Sequence, residues 1–347
     1  MLRARRAWAG AIELDVAIEG EGECRALAYP DVVGHPEPGD RVLLNTTALV
    51  MGLGTGGYAL VVALPDRLPP DPAGPGHLVK ARYTPLQANV SGVDEQDSAH
   101  HRLLEDADTV DGMPVVVADL HSALPAILAG LALDRPGTRV VYVMTDGGAL
   151  PLWFSRTVAD LRSAGALTAS VTVGQAFGGD LEAVTLHTGL LAARNVLEAE
   201  VVVVAQGPGN LGTGTRWGFS GVAAGEAVNA AATLAGRPVA SLRISEGDPR
   251  ERHRGISHHS LTAYGRVALA PADVVVPVLP GPFGEQVAAE AKPLAERHRL
   301  VSVPVDGLYE ALHGCPVRLS TMGRGLDQDT AYFLAAAAAA RHAASLL

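Results

Sequence analysis

From Met113 onward, short apolar runs alternate with segments whose apolar residues recur at helical spacing. The runs fall at 115–119, 139–145, 167–173, 200–205, 239–244, 273–279 and 300–305, and the helical segments at 124–133, 152–164, 181–199, 219–235 and 283–298. The run Val201-Val202-Val203-Val204-Ala205 is apolar at every position, which marks a strand covered on both faces. Alternation of this kind predicts an α/β fold: a doubly wound, mainly parallel sheet with helices on both sides. An alanine-rich helix is expected over 331–347, with Asp327 and Asp329 as candidate N-caps.

Residues 8–84 carry no helical period. Apolar runs at 11–18, 41–44 and 59–64 are separated by glycine and proline, and Pro38-Gly39-Asp40 reads as a turn leading into a strand. The expectation is a small antiparallel β domain over 1–84, followed by a three-layer α/β domain over 85–347. The glycine cluster at 51–57 precedes a strand-like run and not a helix, so it reads as a hairpin or bulge and not as a phosphate loop. Pro65, Pro69, Pro70, Pro72 and Pro75 stiffen a linker or crossing loop, Lys80, Arg82 and Tyr83 sit on a short extended piece, and 91–113 reads as an exposed loop with some helix.

Composition narrows the partners. The chain has 347 residues, 48% hydrophobic and 18% charged, enough for a substantial core. A net charge of −10 argues against nucleic acid and for a small ligand. Cys24 and Cys315 lie in unlike contexts, so neither a disulfide framework nor a cysteine metal site is expected, and a cytoplasmic setting fits. Glu13, Asp15 and Glu19 interrupt any export signal, and Glu226 and Asn229 interrupt the longest small-residue apolar stretch, so no membrane span is expected.

In an open α/β sheet the ligand crevice lies beyond the carboxyl ends of the strands. Those ends are loaded here: Asp119-Leu-His121-Ser122, then Asp146-Gly147-Gly148, Gly174-Gln175 through Asp180, the long loop Gln206 to Arg216, and Arg243 through Ser260. Gly207, Gly209 and Gly212 fit dinucleotide spacing, but the loop runs on and Arg243 stands where an acidic residue would bind a ribose, so a tight turn or a general anion site is preferred. His253, His258 and His259 with Asp248 are chemically suited to a divalent metal, yet their spacing matches no recognised zinc pattern, so no metal is expected and acid/base or anion-contacting roles are assigned instead. His100 and His101 read as solvent-facing, His187 as a core histidine, and Asp180 and Glu182 also suit helix capping.

The resulting expectation is a hydrolase or group transferase acting on a small anionic metabolite. Gly207, Gly209, Asn210, Gly212, Thr213, Arg216, Arg243, Gly147 and Gly148 would bind the ligand, and His258, His259 or His121 would act as acid and base, assisted by Asp146 or Asp180. The neighbourhoods of Asp146, Asp180, Gly209 and His258 are expected to share one cleft. The residues name no cofactor. A ligand-sensing or scaffold protein using the same cleft is the alternative, its β domain serving as a partner or homodimer surface.

Met144-Thr-Asp-Gly-Gly148, Gly178-Gly-Asp-Leu-Glu182, Gln206-Gly-Pro-Gly-Asn-Leu-Gly212, Asp248-Pro-Arg-Glu-Arg-His253, Ser257-His-His-Ser260 and Ser320-Thr-Met-Gly-Arg324 together resemble a bacterial family catalogued as domain of unknown function 3866. The resemblance covers nearly the whole chain. It implies a fold and a cytoplasmic bacterial setting and carries over no catalytic residue. Cys315 lies outside these motifs, so no nucleophilic role is expected of it.

Overall fold

The computed structural model describes residues 1–71 and 74–347; Pro72 of the expected linker lies outside them. Five strands build the N-terminal unit: Arg3–Trp8 (β1), Ala11–Ile18 (β2), Gly22–Ala28 (β3), Leu43–Asn45 (β4) and Ala59–Ala63 (β5), in the order β1-β2-β3-β5-β4. Alternate residues Leu14, Val16, Ala26, Ala28, Ala59 and Val61 pack into its core. The sheet is mostly antiparallel, with one departure from the expectation: β3 and β5 run parallel, Ala26 opposite Ala59. The chain leaves β3, returns along β4, and reverses once more, which lays β5 in the direction of β3. That reversal, between antiparallel β4 and β5, holds the 51–57 glycine cluster. The strand β1, unforeseen in the basic start, is matched to β2 by Arg3 and Arg5 beside Asp15.

The strands Leu78–Lys80 (β6) and Ala88–Val90 (β7) form an antiparallel hairpin that straddles residue 84. It is tied to the larger domain by Lys80, whose Nζ donates to the carbonyls of Ala176 (3.1 Å) and Ala183 (2.9 Å) and lies 3.6 Å from Glu182 Oε2.

The remaining expected runs become strands Pro114–Val117 (β8), Val140–Thr145 (β9), Ala169–Thr172 (β10), Val201–Gln206 (β12), Arg237–Ser241 (β13), Asp273–Val278 (β16) and Arg299–Pro304 (β17). A two-residue strand, Leu181–Glu182 (β11), stands where the sequence predicted the start of a helix; the helix itself is Leu186–Asn195, opened by the Thr185 side chain. The pieces Ile244–Ser245 (β14) and Gly255–Ile256 (β15) form a separate ribbon. The eight-stranded sheet has the order β11-β10-β9-β12-β8-β13-β16-β17, and its neighbours pair parallel. The earliest of these strands, β8, is central, so the chain winds outward first to one side and then to the other.

Two apolar layers sandwich this sheet. Val115 and Val117 face one side with helices Leu186–Asn195, Ala223–Thr233 and Gly281–Ala291, while Val116 and Ala118 face the other with Leu124–Asp134, Arg156–Ser163 and Thr330–Ser345. The last helix is buried along almost its whole length because alanine lets neighbouring backbones close in on every side. At Gly130 a Cβ would sit 2.5 Å from the Ala337 carbonyl, so the crossing requires glycine there. No helix among the described residues is long and apolar enough to cross a membrane.

Candidate functional site

The site grows from the carboxyl ends of the central strands. Beyond β13 the chain passes Arg243 into the β14–β15 ribbon, which turns it back so that Ser257 N–H donates to the Arg243 carbonyl (2.8 Å) and Arg243 N–H donates to Ser260 Oγ (2.9 Å). Ser257 opens the short helix His258–Thr262 by accepting from His259 N–H. The return places His253, His258 and His259 around one point, one ring nitrogen of each within 4.8 Å of the others. Phe219 walls the group, stacked on His259 at 3.8 Å and edge-on to His258 at 5.8 Å.

A buried charge network supports these rings. Arg243 is 4% exposed and lies 3.8 Å from both Asp119 Oδ2 and Asp248 Oδ2, and its Nη1 is 3.2 Å from His259 Nδ1. Asp248, fully buried, receives Arg250 through Nε (2.9 Å) and Nη2 (2.8 Å) and Arg324 Nη2 at 3.1 Å. Burial alone would raise its carboxyl, but the Arg250 side chain and main-chain N–H hold it well below the usual carboxylate range. Asp329, expected as an N-cap, makes no cap bond; it accepts from Ser245 Oγ (2.8 Å) and Arg324 Nε (3.0 Å) and so joins the network. Burial first, and Arg243 second, push His253 down to about 3; burial, His259 and Arg252 push His258 down to about 4. Both rings are neutral near pH 7.

Four buried side-chain polar atoms among the described residues have no hydrogen-bond partner. Thr55 Oγ1 belongs to the N-terminal unit. The others are Asp119 Oδ2, Gln206 Oε1 and His258 Nε2; Gln206 Nε2 donates to the Asp119 carbonyl (2.8 Å), and Asp119 Oδ2 is 3.5 Å from Nδ1 of His259, the neighbour of His258. Because Gln206 Nε2 also meets Asn210 Oδ1 at 2.8 Å, both its neighbours are acceptors and the amide orientation is fixed.

The glycine loop is built differently from the sequence expectation. It does not run from β12 directly into a helix: residues 211–217 project as an exposed hairpin, closed where Gly212 bridges the buried Phe219, before the helical turn at Ser220. Gly212, Thr213 and Arg216 therefore stand out in solvent. Asn210 Oδ1 accepts from Gln206 Nε2, Ser220 Oγ and Gly221 N–H, closing the base of that hairpin. What remains of the loop, Gly207 to Asn210, lines a cavity of about 400 Å³ with Gln206, His121, Ser122 and the exposed Arg318. His121 is committed on both nitrogens, Nδ1 to Tyr142 Oη (3.0 Å) and Nε2 to Ser155 Oγ (2.7 Å). Burial lowers it to about 4.

The other expected site residues do not meet in this cleft. Asp146 is exposed, accepts from Gln175 N–H (2.8 Å), and lines a separate cavity with Lys80 and Arg82. Asp180 binds Ser170 N–H (2.8 Å) and Arg162 Nη2 (3.0 Å) and lines a third, beside Trp8 and Trp153 of the domain junction. Gly147 and Gly148 serve close approach: a Cβ would come within 2.6 Å of Gln206 Oε1 at the first and 2.1 Å of the Gly207 carbonyl at the second. The histidines are brought together with Arg243, and Asp119, Gln206, Phe219 and Ser257 join them. Asp119 was legible as a strand-end carboxylate; Gln206 read as the start of the glycine loop and Phe219 as the start of a helix, and neither carried a sign of its place beside the histidines or Asp119.

The family described as Protein of unknown function (DUF3866) matches residues 25–340 of the chain, and the protein belongs to it. No curated protein matches the chain.

Proposed function

We propose that the protein is a hydrolase or group transferase acting on a small anionic molecule seated over the carboxyl ends of β8 and β12, with the histidine group after β13 supplying its chemistry. One observation carries this reading: the row of buried, partnerless atoms Gln206 Oε1, Asp119 Oδ2 and His258 Nε2. Each such atom costs about 1–3 kcal/mol when nothing satisfies it, and three in the segments that follow the central strands call for a ligand. The cavity of about 400 Å³, which Gln206 lines and His253, His258 and His259 do not, suits a small metabolite. Its glycine-rich backbone and Arg318 favour negative charge.

The test is a thermal-shift and native mass-spectrometry screen of phosphate- and carboxylate-bearing compounds against the wild type and Arg318→Ser, a change at an exposed side chain. Stabilisation by members of one class, weakened in Arg318→Ser, is expected; binding by neither class, or equal binding by the variant, refutes the reading. A ligand sensor is the second reading, favoured by the engagement of both His121 nitrogens, which leaves the cavity wall without a free acid or base. Binding without turnover across the screened compounds selects it.

A further inference from the structure

Three imidazoles facing one another inside a protein, with one ring nitrogen buried and unused, are a costly arrangement unless something engages them. We propose that His253, His258 and His259 together bind one divalent transition-metal ion of the zinc class, with a fourth position left open. This deepens the reading above by naming what the histidines hold, and rests on that reading only for the reaction, not for the binding.

The geometry assigns a nitrogen to each ring. His253 Nδ1 is taken by Ser257 Oγ at 2.7 Å, which leaves Nε2 free. His258 Nε2 is itself the partnerless atom. His259 Nδ1 is 3.2 Å from Arg243 Nη1 and 3.5 Å from Asp119 Oδ2, so Nε2 is its outward nitrogen. A guanidinium can only donate, so with Arg243 on Nδ1 the ring proton sits on Nε2. On metal binding that proton moves to Nδ1, the Arg243 hydrogen bond to Nδ1 is given up, and Nδ1–H is donated to Asp119 Oδ2, the carboxylate oxygen that otherwise has no hydrogen-bond partner; no proton is lost overall. The outcome is the carboxylate–histidine–metal relay that orients ligands in many metal centres, and it accounts for two partnerless atoms at once. Ring centroids 4.5 to 5.0 Å apart leave room for an ion between them after small rotations. The guanidiniums of Arg243, Arg250 and Arg324 are met by the carboxylates of Asp119, Asp248 and Asp329, while Arg252 adds positive charge near His258. The three histidines stand close in sequence but in no recognised zinc pattern, and the turn through β15 brings their rings together.

Calorimetric titration of chelator-stripped, full-length protein with zinc, and with cobalt followed by its visible ligand-field bands, tests the proposal. One ion per chain is expected, with affinity about 10–100-fold lower in Asp119→Asn and lower still in His258→Ala. Since His258 Nε2 makes no hydrogen bond, His258→Ala is expected to fold, and circular dichroism checks each variant. Cobalt binding lost in His259→Ala and regained in His259→Cys, which restores a ligand atom, is a further expected result. Substoichiometric binding, or affinities unchanged in both His258→Ala and Asp119→Asn, overturns it. Inorganic phosphate is titrated in parallel: phosphate without zinc binding sinks the metal and spares the anionic-ligand reading, and zinc without phosphate or carboxylate binding does the reverse.

Discussion

Replacing Lys80 by methionine is expected to destabilise the α/β domain by about 3–5 kcal/mol, the cost of breaking a buried ion pair by removing one partner. Lys80 is 2% and Glu182 7% exposed, so the carboxylate cannot turn to water when the ammonium is gone. Methionine fills most of the stem's volume, and the loss falls on electrostatics: the pair with Glu182 and the donation to the Ala176 and Ala183 carbonyls. The pH dependence discriminates further. Burial already raises the Glu182 carboxyl above its ordinary value, despite the opposing pull of Thr172 and Lys80. A carboxyl whose folded pKa exceeds its unfolded one costs nothing below the unfolded value and lowers stability as pH rises towards the folded value. Without Lys80 that rise is larger, so the deficit of Lys80→Met should be smaller near pH ~5 than near pH ~8. In the Lys80→Met background, Glu182→Gln should recover part of the loss and flatten the pH dependence. Urea denaturation followed by tryptophan fluorescence measures all four proteins of the cycle. A cost below about 1 kcal/mol, independent of pH and of Glu182, would be that of an exposed pair and would refute a docked hairpin.

Two smaller perturbations probe the terminal helix. Gly130→Ala should cost about 1–3 kcal/mol through overpacking, because the new methyl meets the Ala337 backbone; a neutral result in thermal denaturation would mean the two helices are not in contact. Asp273 accepts from His342 Nε2 at 2.7 Å and from Arg299, and although burial alone would raise its carboxyl, those bonds lower it. The stability it contributes is therefore present above the ordinary carboxylate range and is lost as pH falls below it, so Asp273→Asn should cost about 1–2 kcal/mol at neutral pH and progressively less in acid. Equal deficits at both pH values would contradict that assignment.

Most of the architecture was legible because it rests on a periodicity. Valine-rich runs at regular intervals specify strands, and every expected run beyond residue 113 entered the parallel sheet. What escaped was specified by contacts distant in sequence: β11 pairs through only Leu181 and Glu182, too short for a period, and the parallel pairing of β3 with β5 depends on the intervening path. The candidate site divides likewise. Its histidines were visible as residue types, but their convergence depends on a two-residue ribbon, and Asp329, which a local rule assigns to a helix cap, is claimed instead by Ser245 and Arg324. Glycine density pointed to the loop after β12, and there the signal reported a projecting hairpin and close-packed turns as much as a cradle.

The buried alanine helix Thr330–Ser345 also bears on how the chain comes to be folded during its synthesis. Part of one side of the sheet, with Leu124–Asp134 upon it, has its cover completed by this late segment. Until the ribosome has passed Ser345, Ile127 and Val275 lack that cover, and the nascent chain displays an apolar face of parallel strands, the kind of surface that folds slowly and invites aggregation. Alanine is poorly suited to holding that face by greasy collapse alone, since each residue brings so little surface; it holds by fitting. The helix is thus a keystone set last, and a chain stalled or clipped before it would be a substrate for chaperones rather than a slightly less stable protein.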